Sequence, residues 1–379
     1  MIVEKNDNKE KVRYKVVWSF LLLLLAMVVY SCELKTDVEQ KERRLNMLEV
    51  KIDTVARLPL PEGAAKDWRN NYQPYASSLC YGLNKTNGQL SAVDLDDLKV
   101  WNVCQLTSPV NYTSFVVDEK GQKILVFLDD YLLEYTFNGT VLDTIVLNEN
   151  AEAGLMSIQS DYFLPVRTGK KLFMHYFSTK HPKTYKDPQF FKAPIEATLN
   201  IENHNVEALE VTYPVSYSEH CFGYDFAPDR AVLKENTFMY TFHQNDTAFV
   251  YNVETKKHEE HYLGSNLEHN FIHIDYKEIE DLNSMIFSEM LLKSDKYHFT
   301  EVLPNSELIA RTMLRYDSIT NGLKMNLVLY NLGFDYIGES NFAFNYGPVS
   351  DSNHGLSFLT VDKPAEEASE LIICRAKWE

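Results

Sequence analysis

After residue 47 the sequence repeats one unit, which consists of an apolar strand, a polar turn and a second apolar strand. The strands are recognised by their period-two alternation, because successive side chains of a strand point to opposite faces. The unit recurs at Leu90–Leu106, Leu132–Leu147, Ala197–Tyr213, Ala248–Leu263 and Leu327–Ser340. A further strand-like segment precedes each unit, so each repeat has the length of a four-stranded sheet with its loops. Such repetition is typical of a β-propeller, and we predict this all-β fold.

Three Asn-Gly pairs mark tight hairpin turns between strands. They are Asn87-Gly88, Asn138-Gly139 and Asn321-Gly322. Both residue types tolerate the positive φ angles that two-residue hairpin turns require. Their positions support short antiparallel hairpins as the repeated element.

The two ends of this region are predicted to close the ring. Two strands follow the fifth hairpin, at Leu356–Val361 and Leu371–Ala376, and an early strand occupies Met47–Leu58. Pairing of these strands would complete a sixth four-stranded blade and leave no long exposed edge. Residues Ile279–Lys293 have helical spacing and predict an insertion between two blades. Residues 47–379 are therefore expected to form a single propeller domain.

A pair of β-sandwich domains is the competing architecture, since sandwiches also contain short strands and frequent turns. We favour the propeller because the same hairpin keeps returning. In addition, no low-complexity linker divides the chain after residue 46.

The first 46 residues predict export and a lipid anchor. Residues 1–15 carry a net charge of +2, and the uncharged run Val16–Tyr30 follows. This pattern is typical of a secretory signal peptide, and 15 residues are short of the roughly 20 that span a bilayer. Ser31-Cys32 ends the run like a bacterial lipobox, so Cys32 is the predicted lipid attachment site. Residues 1–31 would then be removed, and residues 32–46 would form a charged tether. The alternative is an uncleaved signal anchor with an incidental cysteine.

Charge and cysteine content narrow the possible partners. Removing residues 1–31 takes away five positive and three negative charges, which changes the net charge from −17 to −19. Nucleic-acid binding depends on clustered Lys and Arg, so we expect no nucleic-acid partner. Four cysteines remain besides Cys32, namely Cys80, Cys104, Cys221 and Cys374. These four cysteines could form disulfides in three different pairings. However, Cys104 and Cys374 lie in apolar strand-like runs, which favours free thiols.

The chain resembles a family of uncharacterised lipoproteins of the Bacteroidota type. The resemblance rests on the lipobox at Cys32, the hairpin Leu133–Gly139, the stretch Ala197–Tyr217 and the strand Asn326–Tyr330. It implies a six-bladed, TolB-like β-propeller in the cell envelope. It implies no reaction, because the family has none assigned.

The best candidate for a binding surface is the aromatic-rich stretch Tyr213–Arg230. Aromatic faces with a few polar groups suit sugar or peptide ligands. The candidate ligand-binding residues there are Tyr213, Tyr217, His220 and Tyr224. Arg311 is added because it lies between two strand residues, where it could line the central channel or pair with a carboxylate. The alternative is that the rings only fill the wedge between blades.

Motifs that carry chemistry are missing from the sequence. It contains no Gly-rich phosphate loop, no G-x-S-x-G and no C-x-x-C. The acidic run Asp94–Asp97 lacks the glycine and the distal glutamate of a calcium loop, so we interpret it as a hairpin turn. Four histidines, at positions 258, 261, 269 and 273, have the wrong strand spacing to share one ion. We predict no catalytic residue, metal or cofactor.

These observations favour a binding or interaction module that is held in the envelope by its lipid. The expected location is the outer membrane, on its periplasmic or cell-surface side, and the expected ligand is an envelope protein, peptide or glycan. The alternative is a propeller hydrolase or lyase that acts on extracellular glycans or peptides. A structural subunit of an envelope complex is a third possibility.

Overall fold

A computed structural model of the chain describes residues 46–64, 78–107, 112, 114–119, 121–128, 131–147, 155–157, 165–178, 185–223, 228–279, 288–289, 292–303, 305–320, 322–342, 349–352, 355–362 and 368–378. The chain divides into two units, Met1–Asn46 and Met47–Glu379, and the fold described below is that of the second. Within the described ranges, no helix has the length and apolar character needed to span a bilayer. Cys32 and the predicted signal peptide lie outside them, as do ten of the fifteen residues of the helix predicted at Ile279–Lys293, of which residues 288, 289 and 292 are described and helical.

The second unit is a six-bladed β-propeller built from antiparallel sheets, as predicted. The first blade has three strands within the described residues, and the inner position of the third blade is shared by two short strands. The chain begins with β1 (Val50–Pro59) and continues with β2 (Leu79–Leu83), β3 (Gln89–Asp94) and β4 (Lys99–Gln105) in blade 1; β5 (Ser114–Asp118), β6 (Lys123–Phe127), β7 (Tyr131–Thr136) and β8 (Val141–Val146) in blade 2; and β9 (Leu155–Ser157), β10 (Val166–Thr168), β11 (Lys171–Ser178), β12 (Glu196–Asn200) and β13 (Val206–Ala208) in blade 3. Blade 4 contains β15 (Pro228–Lys234), β16 (Thr237–Phe242), β17 (Thr247–Asn252) and β18 (Lys257–Tyr262), and the short strands β14 (His220–Cys221) and β19 (Ile274–Asp275) lie before and after it in the chain. Blade 5 contains β20 (Lys296–Leu303), β21 (Leu308–Asp317), β22 (Gly322–Asn331) and β23 (Tyr336–Phe342), and blade 6 contains β24 (Val349–Ser352), β25 (Gly355–Val361) and β26 (Glu370–Trp378).

Short helices and one small ribbon lie between the strands of the blades. Helix α1 is Val215–Glu219, and 3-10 helices occupy Pro188–Lys192 and Tyr276–Glu278. The ribbon is the two-residue pairing of β14 with β19. All four elements belong to the connections of blades 3 to 5.

Ring closure follows the prediction from the two ends of the domain. Strand β1 pairs antiparallel with β26, from Val50 opposite Trp378 to Pro59 opposite Glu370. The N-terminal strand is therefore the outermost strand of the sixth blade. Both edges that a linear array of blades would expose are covered in this way.

The five hairpins seen in the sequence are the last hairpins of blades 1 to 5. In each of their turns one residue has a positive φ angle, and only one of the five is glycine: Leu98 (φ 53°), Gly139 (82°), His204 (58°), Lys256 (54°) and Phe334 (69°). A left-handed conformation costs a non-glycine residue about 1–2 kcal/mol. In four of the turns a side chain four or three residues earlier offsets this cost by accepting backbone N–H groups; these are Asp94, Asn200, Asn252 and Asn331.

Three of these turns also contact the preceding blade. Lys256 forms an ion pair of 3.3 Å with Glu210, which follows the outer strand of blade 3. Phe334 stacks on His261 of blade 4, with ring centroids 3.7 Å apart. At Gly139 a Cβ would overlap a backbone carbonyl of blade 1. Corresponding turns thus contact the preceding blade through an ion pair, through ring stacking or through close packing on the backbone.

Buried apolar side chains fill the wedges between blades. One cluster joins blades 4 and 5 through Met239, Val250, Ile309 and Val328. The cysteines at 80, 104, 221 and 374 are free thiols, and three of them are buried. Burial raises the pKa of Cys104 to about 11, which keeps that thiol protonated and unreactive.

Candidate functional site: the loop face of blades 3 to 5

The two faces of the propeller differ in their connections. Antiparallel order places the links between second and third strands, and the links between successive blades, on one face, which we call the loop face. The hairpin turns described above lie on the opposite face, which we call the turn face. Three long connections of blades 3 to 5 are on the loop face: β11 to β12, β13 to β15 and β18 to β20, the last being the longest of all. Binding residues are often found on such loops, because a rigid scaffold positions them.

A cluster of aromatic rings fixes two of these connections to blades 3 and 4. Tyr213 and Tyr217, both predicted to bind a ligand, are 7% and 0% exposed and lie 5.8 Å apart. Phe191 packs edge-on against Tyr213 at 5.0 Å, and Phe242 of β16 is 5.6 Å from Tyr217. Burial raises the pKa of Tyr213 well above its usual range. Neither tyrosine presents a ring face to solvent, so both pack the loops.

The exposed end of this aromatic run is the β14–β19 ribbon. His220 pairs with Asp275 across the ribbon, and its ring is 4.2 Å from that of His273. The Nδ1 atom of His220 is 3.7 Å from a carboxylate oxygen of Asp275. His220 is partly exposed and His273 exposed, so these imidazoles can meet a ligand. Tyr224, the other predicted residue of this stretch, lies outside the described residues.

Arg311 is completely buried, and its guanidinium is hydrogen-bonded to backbone carbonyls. Its guanidinium donates hydrogen bonds to the carbonyls of Leu263, Phe242 and Asn245, at 2.9, 2.9 and 2.8 Å. Its charge also lies over the ring of Tyr297, 3.4 Å from the centroid. All three carbonyls belong to blade 4 and Arg311 belongs to β21 of blade 5. The side chain therefore fastens two loop-face connections to the neighbouring blade.

A second polar group, which the sequence did not identify, surrounds Asp246. His269 Nε2 lies 3.1 Å from a carboxylate oxygen of Asp246, and the hydroxyl of Tyr297 donates to that oxygen at 2.6 Å. His269 Nδ1 lies 2.9 Å from the carbonyl of Leu267. Both ring nitrogens thus face acceptors, which requires a doubly protonated imidazole. The only sequence signal was the histidine itself, since nothing local indicates its distant partners.

The pKa values of this pair move in the directions that the geometry requires. Burial alone would raise the pKa of Asp246, but hydrogen bonding and charge from His269, with the nearby Arg311, lower it below the ordinary value. Burial alone would lower the pKa of His269, but the hydrogen bond and charge of Asp246 raise it. The two side chains therefore form an ion pair that holds the start of the β18–β20 connection.

Glu339 holds the same connection from the other side. This fully buried carboxylate accepts hydrogen bonds from the Ser265 hydroxyl at 2.5 Å and from the backbone N–H of Asn266 at 2.8 Å. The hydroxyl of Tyr336 also donates to it, at 3.0 Å. Hydrogen bonds to a buried carboxylate are among the stronger ones in proteins. The beginning of the longest connection is thus rigid.

Two carboxyl groups on neighbouring inner strands are the other missed residues. Asp229 on β15 is buried and lies 4.0 Å from His243 Nε2, whereas Glu301 on β20 is partly exposed. Burial raises the pKa of Asp229 well above its ordinary value, although the charge of Arg311 opposes the shift. Burial also raises the pKa of Glu301 to about 8. A carboxyl group with the pKa of Glu301 exchanges protons near neutral pH.

Metal-binding geometry is not found in the part of the chain that the structure describes, where no three His, Cys, Asp or Glu side chains converge. The four clustered histidines are dispersed in space. His258 packs on Tyr251 at 4.6 Å, and His261 stacks on Phe334. His269 and His273 belong to the two arrangements described above.

Comparison with known proteins identifies the fold and no more. No protein-family model matches the chain, and no curated protein matches it in sequence. The solved structure of a DUF4221 family member from Bacteroides vulgatus is similar, with a TM-score of 0.68 and 15% identity over 88% of this chain and 99% of the other. A protein of Bacteroides fragilis, named as a presumed exported protein, is similar with a TM-score of 0.51 and 11% identity over 86% and 95%. At such identities the similarity concerns the fold alone.

Proposed function

We propose that this chain is exported, is anchored by a lipid on Cys32, and acts as a binding module whose loop face holds an envelope protein, peptide or glycan. The observation that carries the proposal is the one-sided elaboration of the propeller. Three long connections of blades 3 to 5 lie on the loop face, and the longest, β18 to β20, is fixed at its start by Arg311, Glu339 and the Asp246–His269 pair. A rigid, elaborated face lowers the ordering cost of binding.

Export and anchoring are supported by the N-terminal pattern. A positive end, a 15-residue apolar run and Ser31-Cys32 are the parts of a lipoprotein signal. The Bacteroides fragilis protein of similar fold is named as an exported protein, which agrees with this destination. The resemblance to TolB-like lipoproteins of the Bacteroidota type points to the cell envelope, and within it we propose the outer membrane, on its periplasmic or cell-surface side.

The anchor would join the propeller away from its loop face. Strand β1 and the end of β26 take the place of the last hairpin turn in blade 6, so the domain begins on the turn face. The chain that would lead from a lipid on Cys32 therefore enters the domain on the face opposite the loop face.

Binding is favoured over catalysis by the way the polar groups of the loop face are used. Arg311 donates to three carbonyls, and Asp246 is bound by His269 and Tyr297. Groups that are committed to internal hydrogen bonds stabilise the loops. A catalytic constellation would instead direct its acid, base or nucleophile toward a substrate.

A hydrolase or lyase that acts on extracellular glycans or peptides is the second candidate. One observation favours it, namely the two carboxyl groups of raised pKa on inner strands, Asp229 and Glu301. A carboxyl group with a pKa near neutrality suits general acid catalysis. Loss of any measured turnover in Glu301→Gln, with the fold intact, would establish this candidate.

The experiment for the binding module is affinity purification of the anchored full-length protein from its own envelope after in-cell crosslinking. We compare wild type with the loop-face double variant Val215→Glu/His273→Glu and with the turn-face variant Leu332→Glu. Val215 is 71% and Leu332 39% exposed, so neither substitution disturbs the core. A stoichiometric partner that is lost only in the double variant supports the proposal. A partner that is lost only in Leu332→Glu would contradict it.

A further inference from the structure

The second and third strands of blade 5 extend beyond their neighbours as a projecting arm. Strands β21 and β22 have ten residues each, and their pairing continues to Asp317 opposite Gly322. The inner strand pairs no further than Leu314, and the outer strand begins to pair at Met325. Residues 315–317 and 322–324 thus pair only with each other, and at about 3.3 Å per residue they project roughly 10 Å from the loop face. We call residues 315–324 the arm.

The tip of the arm carries the most exposed large apolar side chain of the described residues. Ile319 is 92% exposed, and Leu323, on the flank of the arm, is 39% exposed. Leu292, in the adjacent connection, is 66% exposed. Together with Val215 these are apolar groups on one face, whereas single exposed apolar residues scattered over a surface are ordinary.

The arm is held in place at its base and at its tip. The backbone N–H of Tyr316 donates to Asp295 at 2.8 Å, and Arg315 donates to the carbonyl of Glu268 at 2.7 Å. At the tip, Asp317 accepts from the N–H of Ile319 at 3.1 Å and from the Thr320 hydroxyl at 2.8 Å. A preorganised apolar tip loses little conformational entropy when a pocket covers it.

The charges around the arm favour a protein as its occupant. Lys324 is paired with Asp317 at 2.8 Å and Lys293 with Glu289 at 2.7 Å, so the two nearby lysines are neutralised. The whole chain has a net charge of −17, which repels anionic lipid head groups. The loop face is also opposite to the face at which the chain enters the domain. An apolar pocket with a Lys- or Arg-rich rim complements both the apolar tip and the negative net charge of the chain.

We propose that the arm is the anchor of a protein–protein interface, with Ile319 inserted into an apolar pocket of a partner whose rim is basic. This inference rests on the proposed binding function and names the part of the loop face that makes the contact. Central apolar anchors carry a large share of interface energy.

The experiment places a photo-crosslinking amino acid at position 319 of the full-length anchored protein in its own cells. Leu332 is the matched control site, because it lies in the turn at the other end of β22, on the turn face. The expected result is one crosslinked protein of defined mass from position 319 and none from position 332. After identification, the purified partner should bind Ile319→Asp about 30-fold more weakly than wild type, because burial of an isoleucine contributes about 2 kcal/mol. Leu332→Asp should bind like wild type.

Other outcomes separate this inference from the proposed function. A crosslinker at Val215 that captures a partner, while position 319 captures none, overturns the arm and leaves the binding module standing. If neither position 215 nor position 319 captures a protein, the result contradicts the proposed binding function itself. Crosslinks from position 319 to lipid, or to a second copy of the chain, overturn the proposed occupant. Unchanged affinity of Ile319→Asp for the purified partner also overturns it.

Discussion

Arg311 offers the sharpest test of how the loop face is held, since the same residue was a candidate for ligand binding. Replacement by alanine removes three charge-assisted hydrogen bonds to buried carbonyls and the contact with the ring of Tyr297. Each such bond contributes about 1.5–3 kcal/mol, and water that enters the cavity would recover part of the loss. We expect a net cost of about 4 kcal/mol.

This cost translates into a measurable shift in melting temperature. A domain of about 330 residues has an unfolding entropy near 0.7 kcal/mol/K, so 4 kcal/mol lowers Tm by about 6 °C. Arg311→Lys should fall between alanine and wild type, because one ammonium group keeps the charge but cannot reach all three carbonyls. Differential scanning calorimetry measures these shifts directly.

Arg315→Ala is the matched control, four residues further along the same strand. Arg315 donates a hydrogen bond to the carbonyl of Glu268 from a partly exposed position. Its loss should cost less than about 1 kcal/mol, or about 1 °C. Equal Tm values for Arg311→Ala and Arg315→Ala would refute the reasoning. An unchanged Tm together with lost partner binding would instead restore Arg311 as a ligand-binding residue.

Three further predictions concern a turn, a charged pair and the anchor. Gly139→Ala should cost about 3 kcal/mol, since its Cβ would overlap a backbone carbonyl of the preceding blade, whereas Gly169→Ala, with open space around it, should cost about 1 kcal/mol; chemical unfolding would show the difference. The raised pKa of His269 stabilises the fold fully below the unfolded pKa of about 6.5, and this stability is lost as the pH rises through the folded pKa. The lowered pKa of Asp246 stabilises the fold above the unfolded pKa of about 3.9, and this stability is lost as the pH falls through the folded pKa. The stability difference between wild type and Asp246→Asn should therefore peak between about pH 4 and 6.5, and a difference independent of pH would count against the charged pair. Cys32→Ala should abolish metabolic lipid labelling and release the protein from membranes, and persistent labelling would refute the anchor assignment.

The propeller was predictable because its repeated hairpins are short-range features. All five hairpins identified by alternation are the last hairpins of successive blades, and the paired ends complete the sixth. The turns were harder to predict. Leu98, His204, Lys256 and Phe334 adopt a conformation that sequence reasoning reserves for glycine or asparagine. A usable signal was the Asp or Asn at the start of four of these turns, whose side chain organises the backbone locally.

The functional residues were less predictable because their roles depend on contacts between distant parts of the chain. Tyr213 and Tyr217 were chosen by residue type, but burial, which sequence does not give, decides whether a tyrosine binds or packs. Asp246 and His269 are 23 residues apart in sequence, and Arg311 meets carbonyls that lie 48 to 69 residues away. No local pattern encodes such partners. Only the ring geometry of the propeller brings them together.

Hydrogen–deuterium exchange measured by mass spectrometry would test directly whether the loop face is the binding surface. The exchange of the full-length protein would be compared between its purified, dissociated form and its crosslinker-free assembly isolated from the envelope. Backbone amides protected by a partner exchange more slowly. We expect protection in residues 209–223, 264–279 and 314–324. Protection confined to the turn face, in residues 253–256 and 332–335, would contradict it.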